Sequence, residues 1–215
     1  MFDYKLRILA PLTGAAIILF ARLVTAVRGI WEGCEPVARQ RVYFANHASN
    51  GDFVLIWTVL PPQLREKTRP VAGSDYWLQT PLKSFIGKDV FRAVLIDRNP
   101  DTRTLDPVAQ MAEALKQGDS LILFPEGTRN MTDDLLLPFK PGLFHLAQSC
   151  PDVDLVPTWI ENLTSVMPKG EVIPVPLLCS VSFGAPLRIG EHEEKSEFIT
   201  RAENALRTLG EEVQS

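Results

Sequence analysis

The sequence predicts an α/β domain in which a mainly parallel sheet is flanked by helices, preceded by an apolar N-terminal helix. Short apolar runs, typical of buried strands, alternate along the chain with longer amphipathic runs, typical of helices. Parallel strands joined by helices are covered on both faces, which is why they read as almost continuous apolar runs. With 215 residues, 46% of them hydrophobic and 22% charged, the chain is large enough to bury one core of this kind.

Six runs are predicted to contribute strands. The first, Arg-Val-Tyr-Phe-Ala, is rich in β-formers and ends at the polar pair Asn46-His47. Another, Ser-Leu-Ile-Leu-Phe, is strongly apolar and is followed by the polar segment 125–134. The predicted strands are residues 41–45, 70–73, 93–96, 120–124 and 155–160, with a further strand or hairpin within 172–183.

Five runs are predicted to form helices between and after these strands. Pro61 and Pro62 end the first, because proline inside a helix removes a hydrogen bond. Asp106 and Pro107 open the third, and Gly118 lies just past its end, which is the usual asymmetry of helix termini. The predicted helices are residues 53–60, 76–91, 107–117, 140–150 and 196–209.

The first 41 residues are basic although the whole chain is acidic. They carry six basic and three acidic side chains, a balance of +3, whereas the net charge of the chain is −4. Residues 8–21 form a 14-residue run without a charge, and helical apolar periodicity continues to Trp31. Spanning a bilayer takes about 20 apolar residues, so we expect residues 1–35 to form a helix lying in a membrane interface with its arginines on anionic headgroups. The alternative is a helix that packs on its own domain, residues 36–215.

Composition argues against several classes of protein. A sequence pI of about 5.5 is unlike that of dedicated nucleic-acid binders, so no nucleic-acid partner is expected. The three cysteines, at positions 34, 150 and 179, have no C-x-x-C spacing. They therefore indicate neither a disulfide framework nor a zinc site, and they fit a reducing compartment.

A polar cluster at residues 46–52 follows the first predicted strand, where functional residues of open α/β sheets gather. It contains His47 and Asp52. If Asp52 opens the next helix, its carboxylate can accept a hydrogen bond from one imidazole nitrogen, while the other nitrogen takes a proton from a substrate hydroxyl. The same spacing also fits a turn followed by a helix cap, so it leaves both interpretations open.

Two further polar clusters also follow strands. Residues 124–129 read Phe-Pro-Glu-Gly-Thr-Arg, in which a glycine allows close backbone approach and its neighbours offer a polar cradle for an anion or a polyol. A surface turn with an ion pair is the alternative. Ile96-Asp97-Arg98 ends in a guanidinium, which suits a phosphate, although a single arginine is equally a solvated surface charge.

Together these clusters resemble the motifs of the glycerolipid acyltransferase family. That family is marked by Asn-His-x-x-x-x-Asp, a stretch ending in Asp-Arg, Phe-Pro-Glu-Gly-Thr-Arg, and a strand containing Val-Pro. The matching segments here are residues 46–52, 91–98, 124–129 and 155–157, in that order, and Phe-Lys-Pro-Gly at 139–142 matches the segment that follows the third motif. The resemblance implies a glycerol-3-phosphate acyltransferase-like fold.

The resemblance also implies a reaction, the transfer of a fatty acyl group from acyl-CoA or acyl carrier protein to the free hydroxyl of a lysophospholipid. The expected acceptor is 1-acyl-glycerol-3-phosphate (lysophosphatidate), and another lysolipid, such as lyso-ornithine lipid, is the alternative. No metal and no bound cofactor are expected, because the acyl thioester is a co-substrate. The implied location is the cytoplasmic face of the inner membrane.

Residue roles are implied at the positions that match the motifs. His47 resembles the catalytic base that deprotonates the acceptor hydroxyl, and Asp52 resembles its orienting partner. The remaining motif residues resemble a binding site for the glycerol phosphate headgroup, with Lys140 a candidate for the same phosphate or for the donor. The implied substrate-binding residues are Arg98, Glu126, Gly127, Thr128, Arg129 and Lys140.

A serine esterase is a remote alternative. Residues 118–121 read Gly-Asp-Ser-Leu, the tetrapeptide that names one esterase family, but they lie at mid-chain, and Ile189 stands where an Asp-x-x-His partner motif ending at His192 would need aspartate. His192 itself is predicted to lie in a solvated acidic turn. His145, between apolar neighbours, is predicted to be a packed core or interface histidine.

Overall fold

Seven strands form one mixed sheet in a computed structural model that describes residues 2–99, 101, 103–162 and 178–214. The strands are β1 (Arg28–Trp31), β2 (Arg41–Ala45), β3 (Thr68–Gly73), β4 (Val94–Ile96), β5 (Ser120–Leu123), β6 (Asp154–Asn162) and β7 (Cys179–Phe183). Their order is β1-β7-β6-β2-β5-β3-β4, and every neighbouring pair is parallel except β6 with β7. Five adjacent strands, from β6 to β4, therefore end at the same edge of the sheet.

Helices cover both faces of this sheet. They are α1 (Phe2–Thr25), α2 (Asp52–Val59), α3 (Pro62–Arg65), α4 (Ser74–Trp77), α5 (Pro81–Phe85), α6 (Pro107–Lys116), α7 (Gly142–Ser149) and α8 (Lys195–Gln214), with a π-helical turn (Ile86–Val90) after α5. The predicted ends of α6 are confirmed. The Asp106 side chain accepts from the backbone N–H of Val108 at 3.2 Å, and Gly118, just past the helix, has φ +85°.

The core has two layers because the central strands are buried on both faces. On β2, the side chains of Val42 and Phe44 belong to the cluster under α6, α7 and α8, whereas Tyr43 and Ala45 belong to the cluster under α2. All five residues of β2 are buried. This pattern confirms the mainly parallel sheet flanked by helices that the sequence predicts.

The predicted strands are present with small differences in their ends. Within 172–183, residues 179–183 form β7, which runs antiparallel to β6, while 172–177 lie outside the described residues. The predicted helix over 76–91 is wrong. It is replaced by α4, α5 and the π-helical turn, because Thr80 precedes proline and adopts an extended backbone, φ −136° and ψ 154°, from which it caps α5.

The N-terminal helix is shorter than its apolar periodicity predicts. It ends at Thr25, Ala26 has φ +43°, and residues 28–31 turn into β1. Trp31 joins the sheet rather than the helix, because its ring stacks on Phe183 of β7 with centroids 3.9 Å apart. One side of α1 packs on the domain through Gly14 and Ala21, while the other exposes Ile8, Leu9, Leu12, Leu19, Phe20, Leu23 and Val24.

Candidate active site

The candidate site lies at the edge where the parallel strands end. The segments that follow β2, β3, β4 and β5 begin there, and these four strands are neighbours in the sheet. Residues that are far apart in the chain, the polar His47, Asp75 and Arg98 and also Gly127, are thereby brought to one edge. The predicted convergence of the polar clusters at strand ends is confirmed by this topology.

His47 and Asp52 form a hydrogen-bonded pair. The His47 Nδ1 atom lies 2.9 Å from Asp52 Oδ2, and the same oxygen accepts from the backbone N–H groups of Ala48 at 2.7 Å and Ser49 at 2.8 Å. Asp52 is 1% exposed at the first turn of α2. An ionised carboxylate can only accept, so with Asp52 in that form Nδ1 is the donor of this pair, and a neutral ring then presents the Nε2 lone pair.

The Glu126 carboxyl accepts hydrogen bonds from backbone N–H groups at this site, including that of His47. Its Oε1 atom accepts from the N–H of His47 at 2.8 Å, and its Oε2 atom accepts from the N–H of Leu137 at 2.9 Å. The side chain is buried, and burial raises the pKa of the Glu126 carboxyl, although the two backbone N–H groups act to lower it. Each Glu126 oxygen thus accepts one backbone N–H of the site, so the carboxyl supports the His47 turn, and its predicted part in headgroup binding stays a prediction.

Ring stacking and further hydrogen bonds fix the imidazole of His47 and the turn that carries it. Phe124 stacks on the imidazole with centroids 4.1 Å apart. The His47 carbonyl accepts from the N–H of Asn130 at 2.6 Å. Asn46 bridges to β6, donating to the Ile160 carbonyl at 3.0 Å and accepting from its N–H at 2.8 Å. These contacts tie the His47 turn to β5, β6 and the loop after β5, so the ring is pre-positioned.

A cavity of about 170 Å³ opens beside His47. Phe53, Val71, Ile96, Leu123 and Phe124 form apolar parts of its wall, with Tyr76 and Trp77 from α4. Arg98 contributes a cationic group to the same wall. The cavity therefore combines one ring nitrogen, one guanidinium and an apolar lining, which suits an amphiphile that carries an anion and a hydroxyl.

Arg98 is already paired in this arrangement. Its Nη2 atom lies 2.8 Å from Asp75 Oδ2 and 2.9 Å from Asp75 Oδ1, and its Nε lies 3.3 Å from Oδ1. Both side chains are exposed. The pair sits over Gly73, where an added Cβ would lie 2.3 Å from Asp75 Oδ1 and 2.5 Å from Arg98 Nε, so a larger residue there would displace this exposed pair.

Some residues of the third motif, 124–129, lie at the cavity, and others lie away from it. Gly127 lines the cavity with φ +69°, and an added Cβ there would lie 2.9 Å from Lys140 Nζ. The exposed Lys140 side chain therefore lies beside Gly127 without itself lining the cavity, and its predicted contact with the phosphate or the donor stays a prediction. Thr128 and Arg129 are exposed and are not among the residues that line the cavity.

The esterase alternative is not supported. Ser120 begins β5, at the opposite end from the His47 turn, and its buried Oγ accepts from the Arg41 N–H at 3.0 Å. The predicted solvated turn at His192 is confirmed, because that side chain is 93% exposed. His145 does not pack in the core, because α7 turns it outward while its apolar neighbours are buried, and the interface alternative stays a prediction.

Sequence reasoning missed three residues of the site, Asp75, Tyr76 and Trp77. All three directly follow β3, so the rule that function gathers at strand ends applies to them as well. Tyr76 and Trp77 fall within the predicted helix over 76–91, where the ring of Trp77 reads as a packing side chain, and Asp75 lies just before that helix. Phe124 was recognised as part of a motif, but its stacking on His47 depends on contact between two strands.

The fold and site define an α/β protein with a histidine–carboxylate pair beside a cavity of mixed polar and apolar lining. Residues 31–161 match the family model described as Acyltransferase, and the chain belongs to that family. The fold is similar to the crystal structure of the 1-acyl-sn-glycerophosphate (LPA) acyltransferase PlsC from Thermotoga maritima, with a TM-score of 0.66 and 22% sequence identity over 94% of this chain and 80% of that one.

Curated relatives carry one name. A 1-acyl-sn-glycerol-3-phosphate acyltransferase from Cocos nucifera is 29% identical over 76% of this chain and 51% of its own. The protein of that name from Escherichia coli (strain K12) is 31% identical over 58% of this chain and 48% of its own. The protein of that name from Saccharomyces cerevisiae is 32% identical over 60% of this chain and 41% of its own. This chain thus spans about half the length of the curated relatives it matches.

Proposed function

We propose that this protein transfers a fatty acyl group from an acyl thioester to the free hydroxyl of 1-acyl-glycerol-3-phosphate, giving phosphatidate. His47 acts as the general base and Asp52 orients it. The observation that carries the proposal is the 2.9 Å contact between His47 Nδ1 and Asp52 Oδ2 at the wall of a cavity that also contains Arg98. Membership of the Acyltransferase family supports the reaction class.

The proposed chemistry needs no covalent enzyme intermediate. His47 Nε2 accepts the proton of the acceptor hydroxyl while that oxygen attacks the thioester carbonyl carbon. The carbon–sulfur bond then breaks, and the proton passes to the thiolate that leaves. Asp52 stabilises the imidazolium formed in between, and general-base assistance of this kind contributes about 10²–10⁴-fold to a rate. The residues of this chain perform these steps without a metal or a bound cofactor.

Arg98 and Lys140 are proposed to bind the acceptor phosphate. Arg98 lines the cavity and offers a planar fork that matches phosphate oxygens, once Asp75 releases it. Lys140 adds a second positive charge beside Gly127. Thr128 and Arg129 remain proposed contributors for a bound lipid or donor, because both are exposed and neither side chain has a hydrogen bond or ion pair within the described part of the chain.

A different lysolipid acceptor is the second candidate, and Asp75 favours it. The carboxylate lies beside Arg98, 2.8 Å away, so the site presents a negative and a positive group side by side. A zwitterionic headgroup, as in lyso-ornithine lipid, would pair with both. The hydroxyl activation by His47 is the same for either acceptor.

Membrane association is proposed through α1. Its residues Ile8–Thr25 are long and apolar enough to cross a membrane by length and composition, and only 11% of that stretch is buried. The exposed apolar face of α1 fits an enzyme whose acceptor and product are lipids. Basic residues around this helix favour the cytoplasmic face of the inner membrane. Because β1 pairs with β7 in the sheet, the proposed membrane element is α1 alone rather than residues 1–35, and the acyltransferase domain includes β1.

Thiol release from a long-chain acyl-CoA tests the proposal. The purified full chain in detergent is supplied with a panel of lysolipids, and wild type is compared with His47→Ala and with His192→Ala, a control that removes an exposed histidine. Release that requires lysophosphatidate, survives in His192→Ala and falls at least about 100-fold in His47→Ala supports both reaction and base. Release without any acceptor that persists in His47→Ala would overturn both.

The remaining outcomes of the assay identify the substrates. Release only with an amino-acid-containing lysolipid would replace the first candidate by the second. If acyl-CoA supports no release with any acceptor, the same panel is repeated with acyl carrier protein as donor. Absence of release with both donors and every lysolipid would contradict the proposed activity.

A further inference from the structure

The segment between β3 and β4 presents apolar side chains to solvent beside the cavity. Leu78 is 48% exposed and Leu82 is 67% exposed, while Tyr76 is 39% exposed and also lines the cavity. We propose that Tyr76, Leu78, Leu82 and Lys83, the α4–α5 surface, form a second membrane contact that sets the cavity mouth on an anionic lipid surface. The inference rests on the membrane association proposed for α1.

Trp77 anchors this segment to the core, which leaves the leucines free to face outward. Its ring packs on the π-helical turn, where a Cβ added to Gly87 would lie 3.0 Å from Trp77 Cε3. It also meets Phe53 and Phe91 edge-to-face, with centroids 5.9 and 6.3 Å apart. The fold is therefore secured by the tryptophan, and Leu78 and Leu82 are not required by the core.

Two lysines and two aspartates accompany the exposed leucines; of the aspartates, Asp75 is paired with Arg98, and Asp89 lies next to Lys88 in the π-helical turn. The Lys83 Nζ atom lies 3.9 Å from the centre of the Tyr76 ring and 2.8 Å from Gln79 Oε1, so its ammonium is held at the surface. Lys88, in the π-helical turn, is exposed. Apolar side chains flanked by tyrosine and lysine are the composition that suits the boundary between acyl chains and anionic headgroups.

Helix α1 packs beside the π-helical turn that follows the α4–α5 surface in the chain. A Cβ added to Gly14 of α1 would lie 3.5 Å from Val90 Cγ1 and 3.3 Å from Trp57 Cη2. The helix therefore passes directly beside the turn that ends the segment. A lipid surface that receives the apolar face of α1 would reach the neighbouring leucines as well, and a lipid acceptor could enter the cavity past Tyr76 without crossing water.

Flotation of the full chain with vesicles tests this contact. Vesicles of equal parts phosphatidylglycerol and phosphatidylcholine are compared with pure phosphatidylcholine, for wild type, for Leu78→Asp combined with Leu82→Asp, and for Leu105→Asp. Leu105 is 62% exposed in the loop before α6 and serves as the control. The double variant should lose at least about tenfold in partition, because burying even one leucine is worth more than that, and the Leu105 variant should match wild type.

Hydrogen exchange on the unmodified protein gives a second measurement. Adding the anionic vesicles should slow exchange of backbone amides in residues 76–85 and leave residues 103–106 unchanged. Unchanged exchange in 76–85, or a double variant that floats like wild type, would overturn the proposal. Protection that appears without lipid as protein concentration rises would overturn it too, since a second copy would then cover the surface. Neither readout needs turnover, so protein that binds as expected but transfers no acyl group contradicts the proposed function alone.

Discussion

The Oδ2 atom of Asp52 lies 2.9 Å from His47 Nδ1 and also accepts the backbone N–H groups of Ala48 and Ser49. One carboxylate oxygen thus fixes both the imidazole and the turn that carries it. Its companion Oδ1 is buried without a hydrogen-bond partner among the described residues. All the hydrogen bonds that Asp52 accepts in the described part of the chain are therefore on the oxygen that faces His47.

Asp52→Asn should keep this shape and remove the charge. The amide oxygen can still accept from the turn, but a neutral group cannot stabilise the imidazolium that forms when His47 takes a proton. We expect kcat to fall about 10²–10⁴-fold, the usual contribution of general acid–base catalysis, with little change in the KM for the acceptor. Steady-state kinetics measure this, and thermal unfolding checks that the variant folds. A kcat within tenfold of wild type would remove Asp52 from the mechanism.

Glu126→Gln should loosen the His47 turn without touching the cavity. The two oxygens of Glu126 accept from two backbone N–H groups, those of His47 and Leu137. Glutamine has one oxygen, so its NH₂ group would face one of these donors. An unsatisfied buried N–H costs about 1–3 kcal/mol, which corresponds to a Tm lower by roughly 2–4 °C per kcal/mol in a chain of this size. An unchanged Tm and unchanged kcat would contradict this positioning role.

The same carboxyl predicts a pH dependence of stability. Burial raises the pKa of Glu126 in the folded protein. In the unfolded chain this pKa is about 4.3. At pH values between the two pKa values, the native state therefore binds more protons than the unfolded chain. The contribution of Glu126 is therefore fully present below the unfolded pKa and is lost as pH rises through the folded pKa. Urea unfolding at several pH values should show the free-energy gap between wild type and Glu126→Gln shrinking as pH rises. A gap that widens with pH would contradict the raised pKa.

Local patterns explain why much of the site could be predicted from the sequence. His47 and Asp52 are five positions apart, and a turn followed by a helix start brings them together with little help from the rest of the chain. The apolar runs of β2 and β5 likewise predict buried strands, because central parallel strands are covered on both faces. Such features depend on neighbours in sequence.

Features that depend on distant contacts could not be predicted. Asp75 and Arg98 are 23 positions apart and meet because β3 and β4 are adjacent strands. The inward direction of Glu126 depends on Leu137, where the chain returns to the site after a loop. Residues 28–31 read as helix, but they gain backbone pairing with β7, about 150 positions away, and this pairing outweighs local periodicity.

Gly127→Ala should affect substrate binding, and Gly118→Ala provides a matched control. Both glycines have positive φ, +69° and +85°, so an alanine at either position should cost about 1–2 kcal/mol of stability. An added Cβ at Gly127 would lie 2.7 Å from Lys140 Cδ, whereas nothing lies within 4 Å of one at Gly118. We expect similar losses in Tm, but a higher KM for the acceptor only in Gly127→Ala. Equal KM values in the two variants would argue against a role of Lys140 at this wall.

Asp75→Asn should distinguish the two proposed classes of acceptor. Asp75 occupies the fork of Arg98, and both side chains are more than half exposed, so the pair is worth at most about 1 kcal/mol and a phosphate can displace the carboxylate. If the acceptor carries only a phosphate, removing the competitor should lower its KM up to about fivefold with kcat unchanged, since 1.4 kcal/mol corresponds to a factor of ten. If the acceptor is zwitterionic, losing the carboxylate should raise its KM instead. Asp101→Asn removes one exposed negative charge outside the cavity lining and corrects for the change in overall charge. A KM that moves equally in both variants would mean that Asp75 acts only through net charge and does not select the headgroup.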